Sequence, residues 1–153
     1  MPNTYTQIHI QFVFAVKYRD RVIAKEWKDD FYKYISGIVQ HYNHKLLAIN
    51  GMQDHVHIFI GMRPTQSVAD LMQDIKAGSS KWINEHRLVR GRFEWQEGYG
   101  AFSYGASQIE DVARYIENQE EHHRRKSFKE EYIDFLQKFK VDYDERFVLQ
   151  EPI

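Results

Sequence analysis

Cysteine is absent from this sequence of 153 residues, and so is any long apolar run. Without cysteine the protein forms neither disulfide bonds nor thiolate metal sites, which fits a reducing compartment. No apolar stretch approaches the roughly 20 residues that a membrane-spanning helix needs. The first ten residues, MPNTYTQIHI, have neither a basic start nor a long apolar core, so no signal peptide is predicted. We therefore expect a cytoplasmic protein with no membrane partner.

A strong charge of one sign is absent as well, because the formal net charge is −1. The whole chain is thus not a polycation, and any role in binding nucleic acid must depend on local basic patches. Two such patches are present, HRLVRGR at 86–92 and HHRRK at 122–126. Taken alone, each patch is more typical of an ordinary solvated surface than of a binding site.

The spacing of apolar residues predicts alternating strands and helices. Strands are predicted over 4–16, 45–51 and 54–62 and within 93–105. Helices are predicted over 25–42, 67–86, 107–123 and 127–139. The length and the lack of repeats or linkers favour a single domain over 1–153.

The order of these elements predicts the fold class. Strand, helix, strand, strand, helix and strand in succession are typical of an α+β, ferredoxin-like (split βαβ) antiparallel sheet. Helices are expected to pack mainly on one face of that sheet, with the final helices following the fourth strand. An unrelated α+β sandwich is the alternative.

Two histidines lie one residue apart in DHVHIFI at 54–60. Alternation along a strand puts His55 and His57 on one face, and Val56, Ile58 and Ile60 on the other. The apolar face suits the core, so we expect the histidines to point outward. Their side chains start roughly 7 Å apart, two residue rises along a strand, so their ring nitrogens can converge on one metal ion. A solvent-facing or hydrogen-bonded pair is the ordinary alternative.

A pair of histidines needs at least a third ligand, and the predicted helix over 107–123 offers candidates. Tyr115 and Gln119 are four residues apart, so they project from one helix face. The ordinary alternative is that Tyr115 packs on the sheet while Gln119 faces water. The other polar candidates on this helix are Glu110, Asp111, Glu117 and Asn118.

The two motifs together, DHVHIFI at 54–60 and YIENQ at 115–119, carry a resemblance. The chain resembles the HUH transposases with one catalytic tyrosine, which are the IS200-like transposases of small insertion sequences and their REP-associated relatives. The resemblance implies that His55, His57 and Gln119 ligate a metal and that Tyr115 is the nucleophile. Histidine and amide ligands with water suit Mg²⁺ or Mn²⁺ better than a structural zinc.

The same resemblance implies a reaction and a substrate. Tyr115 would attack a phosphate of single-stranded DNA, forming a 5′-phosphotyrosine link that another strand end later reverses. The substrate would be an element with hairpin ends, the enzyme would act as a homodimer, and it would associate with the nucleoid when acting on DNA. Whether Tyr115 completes the site of its own chain or of its partner stays open.

Basic residues on and after two of the helices are candidates for phosphate contacts. The first choices are Lys76, Lys81, Arg87, Arg90 and Arg92, and the second choices are Arg124 and Arg125 with the neighbouring histidines.

Two other functions compete with the transposase. One is a non-catalytic module of RRM-like fold that binds single-stranded nucleic acid, although histidines stand where stacking aromatic residues would be expected. The other is a metal-dependent phosphodiesterase that uses water as the nucleophile and forms no covalent adduct.

Overall fold

The computed structural model describes residues 3–150. Its strands are β1 (His9–Ala15), β2 (Lys45–Met52), β3 (His55–Gly61) and β4 (Gly100–Tyr104). Its helices are α1 (Lys25–His41), α2 (Val68–Glu85), α3 (Ile109–Glu117), α4 (Gln119–His123) and α5 (Phe128–Lys138). Short 3-10 turns lie at Lys17–Arg19, Ala106–Gln108 and Glu145–Phe147.

The four strands form one antiparallel sheet in the order β2-β3-β1-β4. This is the strand order of the split βαβ plan, so the predicted α+β, ferredoxin-like class is confirmed. Strand β3 lies inside the sheet, where His57 pairs with Val13 of β1 and Asn50 of β2. A central strand has both edges hydrogen-bonded, which holds its side chains in a rigid frame.

The β2–β3 hairpin brings two backbones unusually close. A Cβ atom on Gly51 would lie 2.1 Å from the carbonyl oxygen of His55. No side chain fits in that space, so glycine is required where the hairpin delivers His55 to the sheet.

One face of the sheet carries the core that alternation predicts. Phe12 and Phe14 of β1 and Ile58 of β3 are buried there, at 0 to 1% exposure, beneath α1 and α2. The two helices cross closely at Gly78, where a Cβ atom would lie 2.8 Å from Cδ1 of Ile38. These two helices are the longest within residues 3–150, and they cover this face of the sheet as expected.

Three shorter helices cover the second face, which the sequence predicted to be outward-facing. Val13 and Phe59 point to this side and are fully buried. They pack under apolar residues of α3 and α5: Val112, Ile116, Phe128, Tyr132, Phe135 and Leu136. The expectation of a single buried face was therefore wrong, because α3 and α5 are each amphipathic and need an apolar surface to cover.

The helix predicted over 107–123 is divided into two. Asn118, with φ −98° and ψ 28°, leaves helical geometry between α3 and α4. The side-chain amide of Asn50 donates to the backbone oxygen of Glu117 at 3.0 Å and ties this break to β2. The last predicted helix is observed as α5, and its N-cap Ser127 accepts a hydrogen bond from the backbone N–H of Glu130.

Within residues 3–150, no helix combines the length and the apolar character needed to cross a membrane.

Candidate active site

His55 and His57 lie side by side on β3, on one face of the sheet, as predicted. Both are 0% exposed, so the prediction that they point outward to solvent was wrong. Helices α3 to α5 cover them, and the ring of Phe128 stacks on that of His55 with centroids 3.7 Å apart. A buried imidazole must have polar partners, and these partners define the site.

The two histidines are each held by their Nδ1 atom. Nδ1 of His55 lies 2.8 Å from a carboxylate oxygen of Asp54. Nδ1 of His57 lies 2.9 Å from Nε2 of Gln11, a fully buried residue of β1 that accepts a hydrogen bond from the Tyr104 hydroxyl. With the Nδ1 atoms engaged, both Nε2 atoms face one common space, an arrangement typical of histidines that ligate metals.

Glu131 of α5 occupies that space and was missed by the sequence analysis. Its side chain is 3% exposed, and its Oε1 lies 3.0 Å from Nε2 of His57, 3.2 Å from Nε2 of His123 and 3.7 Å from Nε2 of His55. One ligand atom from each of His55, His57 and Glu131 lies within 4.8 Å of the other two. Two imidazoles and a carboxylate at this separation are a donor set that fits a divalent cation.

A signal for Glu131 was present in the sequence. Phe128, Glu131 and Phe135 recur at helical spacing, so an acidic residue lies in the apolar stripe of α5. A charged residue at such a position is almost never buried without partners. The position of Glu131 in this stripe did not, however, indicate which side chains its carboxylate would contact.

Gln119 is brought to the same place. It is 0% exposed, and its Oε1 lies 3.1 Å from Nε2 of His55, while its Nε2 donates to Oε2 of Glu131 at 3.2 Å. The ordinary alternative of a water-facing Gln119 is thus excluded. His123, one turn further along α4, lies 3.1 Å from the same Gln119 oxygen.

Tyr115 lies at the border between this cluster and an open cavity. Its hydroxyl donates to Oε2 of Glu131, and its ring stacks on that of His122 at 4.2 Å. The cavity, of about 400 Å³, is lined mainly by polar and aromatic residues, with one valine: Gln11, Tyr104, Gln108, Asp111, Val112, Tyr115, Lys126, Glu131, Asp134, Phe135 and Lys138. Tyr115 and the histidine pair are therefore assembled within a single chain.

The buried groups differ in their charge. Burial opposes ionisation of Glu131, but the hydrogen bonds of His123 and His57 outweigh it and hold the pKa of Glu131 far below its ordinary value. Burial lowers the pKa of His57 by more than Glu131 raises it, which favours the neutral imidazole that binds metals. Burial, followed by the negative charge of Glu131, raises the pKa of Tyr115 above its ordinary value.

The first set of basic residues predicted to contact phosphate, on and after α2, lies apart from this cluster. Lys76 points inward, where its ammonium group donates to the backbone oxygens of Gln96 and Gly98, and burial lowers its pKa to about 8. It holds the loop before β4 instead of presenting a free charge. Lys81 is exposed and lies 3.8 Å from Glu85. Arg87, Arg90 and Arg92 follow α2, a helix that packs on the face opposite the histidines.

Arg124 and Arg125 lie closer to the site, directly after His123. Arg124 is paired with Glu121 at 3.2 Å and Arg125 lies 3.9 Å from the same carboxylate. Arg124 also lines a second cavity of about 330 Å³, with two lysines that the sequence analysis did not single out, Lys25 and Lys28.

The sequence profile of the family "Transposase IS200 like" matches residues 4–119. The chain belongs to this family of transposases. A curated relative, the ISDra2 transposase TnpA of Deinococcus radiodurans, is 23% identical over 119 residues, which are 74% of this chain and 84% of that protein. The resemblance inferred from DHVHIFI and YIENQ is confirmed at the level of the family.

Solved structures share the fold. A crystal structure of a Deinococcus radiodurans protein assigned as a transposase is 22% identical, with a TM-score of 0.63 over 78% of this chain and 95% of that one. A REP-associated tyrosine transposase bound to a REP hairpin is 11% identical, with a TM-score of 0.57 over 77% of this chain and 70% of that one. The family match ends at Gln119, so α5 and Glu131 lie beyond it.

Proposed function

We propose that this transposase cleaves and rejoins single-stranded DNA through a covalent bond between Tyr115 and a 5′ phosphate. One observation carries the proposal. The Tyr115 hydroxyl, the Gln119 amide and the Nε2 atoms of His55 and His57 all converge on the carboxylate of Glu131. A nucleophile beside a set of metal-binding donors is the arrangement that phosphoryl transfer to a tyrosine needs.

A divalent metal ion would be held by His55, His57 and Gln119, with Glu131 as a further ligand. The donor set supports this because it offers two imidazoles, an amide oxygen and a carboxylate oxygen. Mg²⁺ and Mn²⁺ both accept such oxygens, and the imidazoles favour Mn²⁺. When bound, the ion would neutralise charge that develops on the scissile phosphate.

The residues of the chain then have separate tasks. Tyr115 attacks the phosphorus, the bond from phosphorus to the 3′ oxygen breaks, and a strand with a free 3′ hydroxyl leaves. Attack by a 3′ hydroxyl on the phosphotyrosine reverses the step and joins strands. Because the phosphotyrosine bond conserves the energy of the cleaved bond, joining needs no nucleotide cofactor.

The proposed substrate is single-stranded DNA with hairpin ends, in keeping with the REP-associated relative bound to a REP hairpin. The cut strand would enter the cavity beside Tyr115, where Lys138 would contact a phosphate, while Lys126 is paired with Asp134 of the same wall. Arg124 and Arg125 would contact phosphates nearby. Arg87, Arg90 and Arg92 lie on the other side of the sheet, so they would contact the hairpin stem or a flanking segment.

A homodimer remains part of the proposal, since excision of an element needs two cleavages and each chain has one Tyr115. The enzyme would be cytoplasmic and would associate with the nucleoid when it acts on DNA. The RRM-like alternative is disfavoured, because α-helices cover both faces of the sheet and base stacking on it needs an open face.

The decisive experiment uses labelled single-stranded hairpin DNA with Mn²⁺, analysed on a denaturing gel. Wild-type protein is expected to form a slowly migrating covalent adduct, and Tyr115→Phe is expected to form none, because it lacks the attacking oxygen. Tyr34→Phe, on α1 across the sheet, is the matched control and should behave as wild type. Cleavage that persists in Tyr115→Phe would instead identify the water-using phosphodiesterase.

A further inference from the structure

The buried cluster of metal-binding donors has a cavity at each end. The cavity beside Tyr115 is lined by Gln11, which pairs with Phe59 of β3, beyond the histidine pair of that strand. The second cavity, of about 330 Å³, is lined by Met52, which pairs with His55 at the hairpin end of β3. The two cavities therefore flank the donors along the direction of β3.

One side chain, that of His123, separates the second cavity from the donors. Its Nε2 lies 3.1 Å from Oε1 of Gln119 and 3.2 Å from Oε1 of Glu131. Its ring centroid lies 4.8 Å from that of His55. Tyr115 contacts the other carboxylate oxygen of Glu131. The attacking hydroxyl and the second cavity thus approach the donors from different sides.

The wall of the second cavity is mainly basic. Lys25, Lys28 and Arg124 line it, against a single carboxylate, that of Glu120. Oε1 of Glu120 lies 3.9 Å from Nζ of Lys25 and 3.8 Å from Nζ of Lys28, which are long distances for ion pairs. Three cations around one weakly held carboxylate form a surface that attracts further negative charge.

The two lysines occupy positions that the helix itself disfavours. Both are in the first turn of α1, the positive end of the helix dipole, where acidic residues are stabilising and cations are not. The side chain of Lys28 is 24% exposed, so its charge has also lost part of its contact with water. Cations kept at such positions beside a cavity indicate that the cavity binds an anion.

The geometry of phosphoryl transfer indicates which anion this is. The attacking and leaving oxygens lie roughly in line, on opposite sides of the phosphorus. As the bond from Tyr115 Oη to phosphorus forms, the bond from phosphorus to the 3′ oxygen breaks. The Tyr115 proton passes to water, and the departing 3′ oxygen takes a proton from water. Because Tyr115 attacks from the side of the first cavity, the 3′ oxygen departs toward the second.

We propose that the second cavity binds, through its phosphates, the DNA segment that ends in the 3′ hydroxyl. Lys25, Lys28 and Arg124 contact these phosphates in place of Glu120. The inference rests on the proposed function and deepens it, since it assigns separate sites to the two ends of the cut strand. A 3′ hydroxyl held there has a high effective concentration at the phosphotyrosine, which favours joining.

The test measures how tightly a short single strand binds to the purified covalent adduct, by fluorescence anisotropy. The strand ends in a 3′-deoxy nucleotide, so it cannot attack, and the DNA of the adduct occupies the first cavity. The adduct of Lys25→Gln/Lys28→Gln is expected to bind it about 10- to 100-fold more weakly than wild type, because two charged contacts to phosphate are lost. Lys33→Gln is the matched control. Lys33 is exposed on the same helix and does not line this cavity, so its variant should bind as wild type.

Two further measurements distinguish contact with phosphate from an effect on structure. The slope of log affinity against log salt concentration should become shallower by about 0.7 for each lysine removed. Neutral methylphosphonates in place of the phosphates nearest the 3′ end should weaken binding to wild type and have little further effect in Lys25→Gln/Lys28→Gln, since lysine and phosphate act as a pair. In joining, a strand with a 3′ hydroxyl should need a correspondingly higher concentration in this variant, with an unchanged maximal rate.

Circular dichroism melts check that the variants fold, which is expected because Glu120 is half exposed and is not left as a buried charge. If the double variant forms too little adduct, Lys28→Gln alone is compared, with an expected loss of affinity of about tenfold. Normal adduct with wild-type affinity for the 3′-deoxy strand would overturn this inference and leave the proposed function standing. An equal loss from methylphosphonates in both proteins would overturn it as well. A wild type that forms no adduct would refute the proposed function and this inference together.

Discussion

Gln11 is the residue on which the position of His57 depends. Its amide lies between Nδ1 of His57 and the hydroxyl of Tyr104, and it is fully buried. An amide turned by half a rotation can present either nitrogen or oxygen to the imidazole, while the tyrosine hydroxyl can donate or accept at the other end. Gln11 can therefore satisfy either tautomer of His57, including the one with the proton on Nδ1 that ligation through Nε2 requires.

Replacing Gln11 with leucine tests this role. The variant removes the hydrogen bond but keeps the volume, so we expect the affinity for Mn²⁺ to fall about 10- to 100-fold, as for other groups that orient a metal ligand. Isothermal titration of Mn²⁺ measures it, with Gln7→Leu as the control, since Gln7 is exposed and bonded to His9. Equal affinities in Gln11→Leu and wild type would show that His57 is oriented by packing alone.

At the scale of elements, the site depends on how the β2–β3 hairpin presents its histidines. Val56 faces Gly51 across the hairpin, and Gly51 leaves room for the backbone of His55. The turn between β2 and β3 ends at Asp54, whose carboxylate orients His55. The motif DHVH thus combines a turn residue, two histidines on one strand face and an apolar residue in the opposite core.

Two glycine substitutions are expected to act in opposite directions. Gly51→Ala should lower the free energy of unfolding by at least about 2 kcal/mol, because its Cβ would collide with fixed backbone. Gly37→Ala in α1 should raise it by about 0.5–1 kcal/mol, since a Cβ there meets nothing within 4 Å and alanine favours helix. Urea denaturation measures both. If Gly51→Ala caused little or no destabilisation, strands β2 and β3 would have to shift relative to each other to make room for the Cβ atom.

At the scale of the whole molecule, the histidine pair and the tyrosine come from distant parts of one chain. Strand β3 supplies His55 and His57, α3 supplies Tyr115, α4 supplies Gln119 and α5 supplies Glu131. Each of the last three lies within hydrogen-bond distance of another member of the cluster. This packing favours a site completed in cis, even if two chains cooperate in excision.

Complementation between inactive variants tests the cis arrangement. A mixture of His57→Ala and Tyr115→Phe, refolded together to allow exchange of chains, should form no covalent adduct with hairpin DNA, because every cis site lacks one group. A mixture of wild type and Tyr115→Phe, treated identically, should retain adduct in proportion to the wild type present. Recovery of adduct in the first mixture would show that Tyr115 acts in the partner's site.

The elements and their faces followed from local patterns, which explains both the successes and the errors of sequence reasoning. Alternation placed His55 and His57 together because side chains of a strand alternate whatever the surroundings. The spacing of Tyr115 and Gln119 pointed to one site, although Asn118 breaks the helix between them. Lys76 was taken for a surface cation, since nothing in the sequence indicates that the loop before β4 folds back onto its ammonium group.

By itself, the sequence determined the α+β plan and the shared face of the two histidines, which depend on short-range spacing, and its two motifs taken together indicated the family. The tertiary structure alone decided that this face is buried, that Gln11 and Asp54 orient the imidazoles, and that Glu131 enters the site from α5. Burial depends on which helix covers a face, and the meeting of His57 with Glu131 depends on packing across 74 residues of chain. Local periodicity carries no information about either.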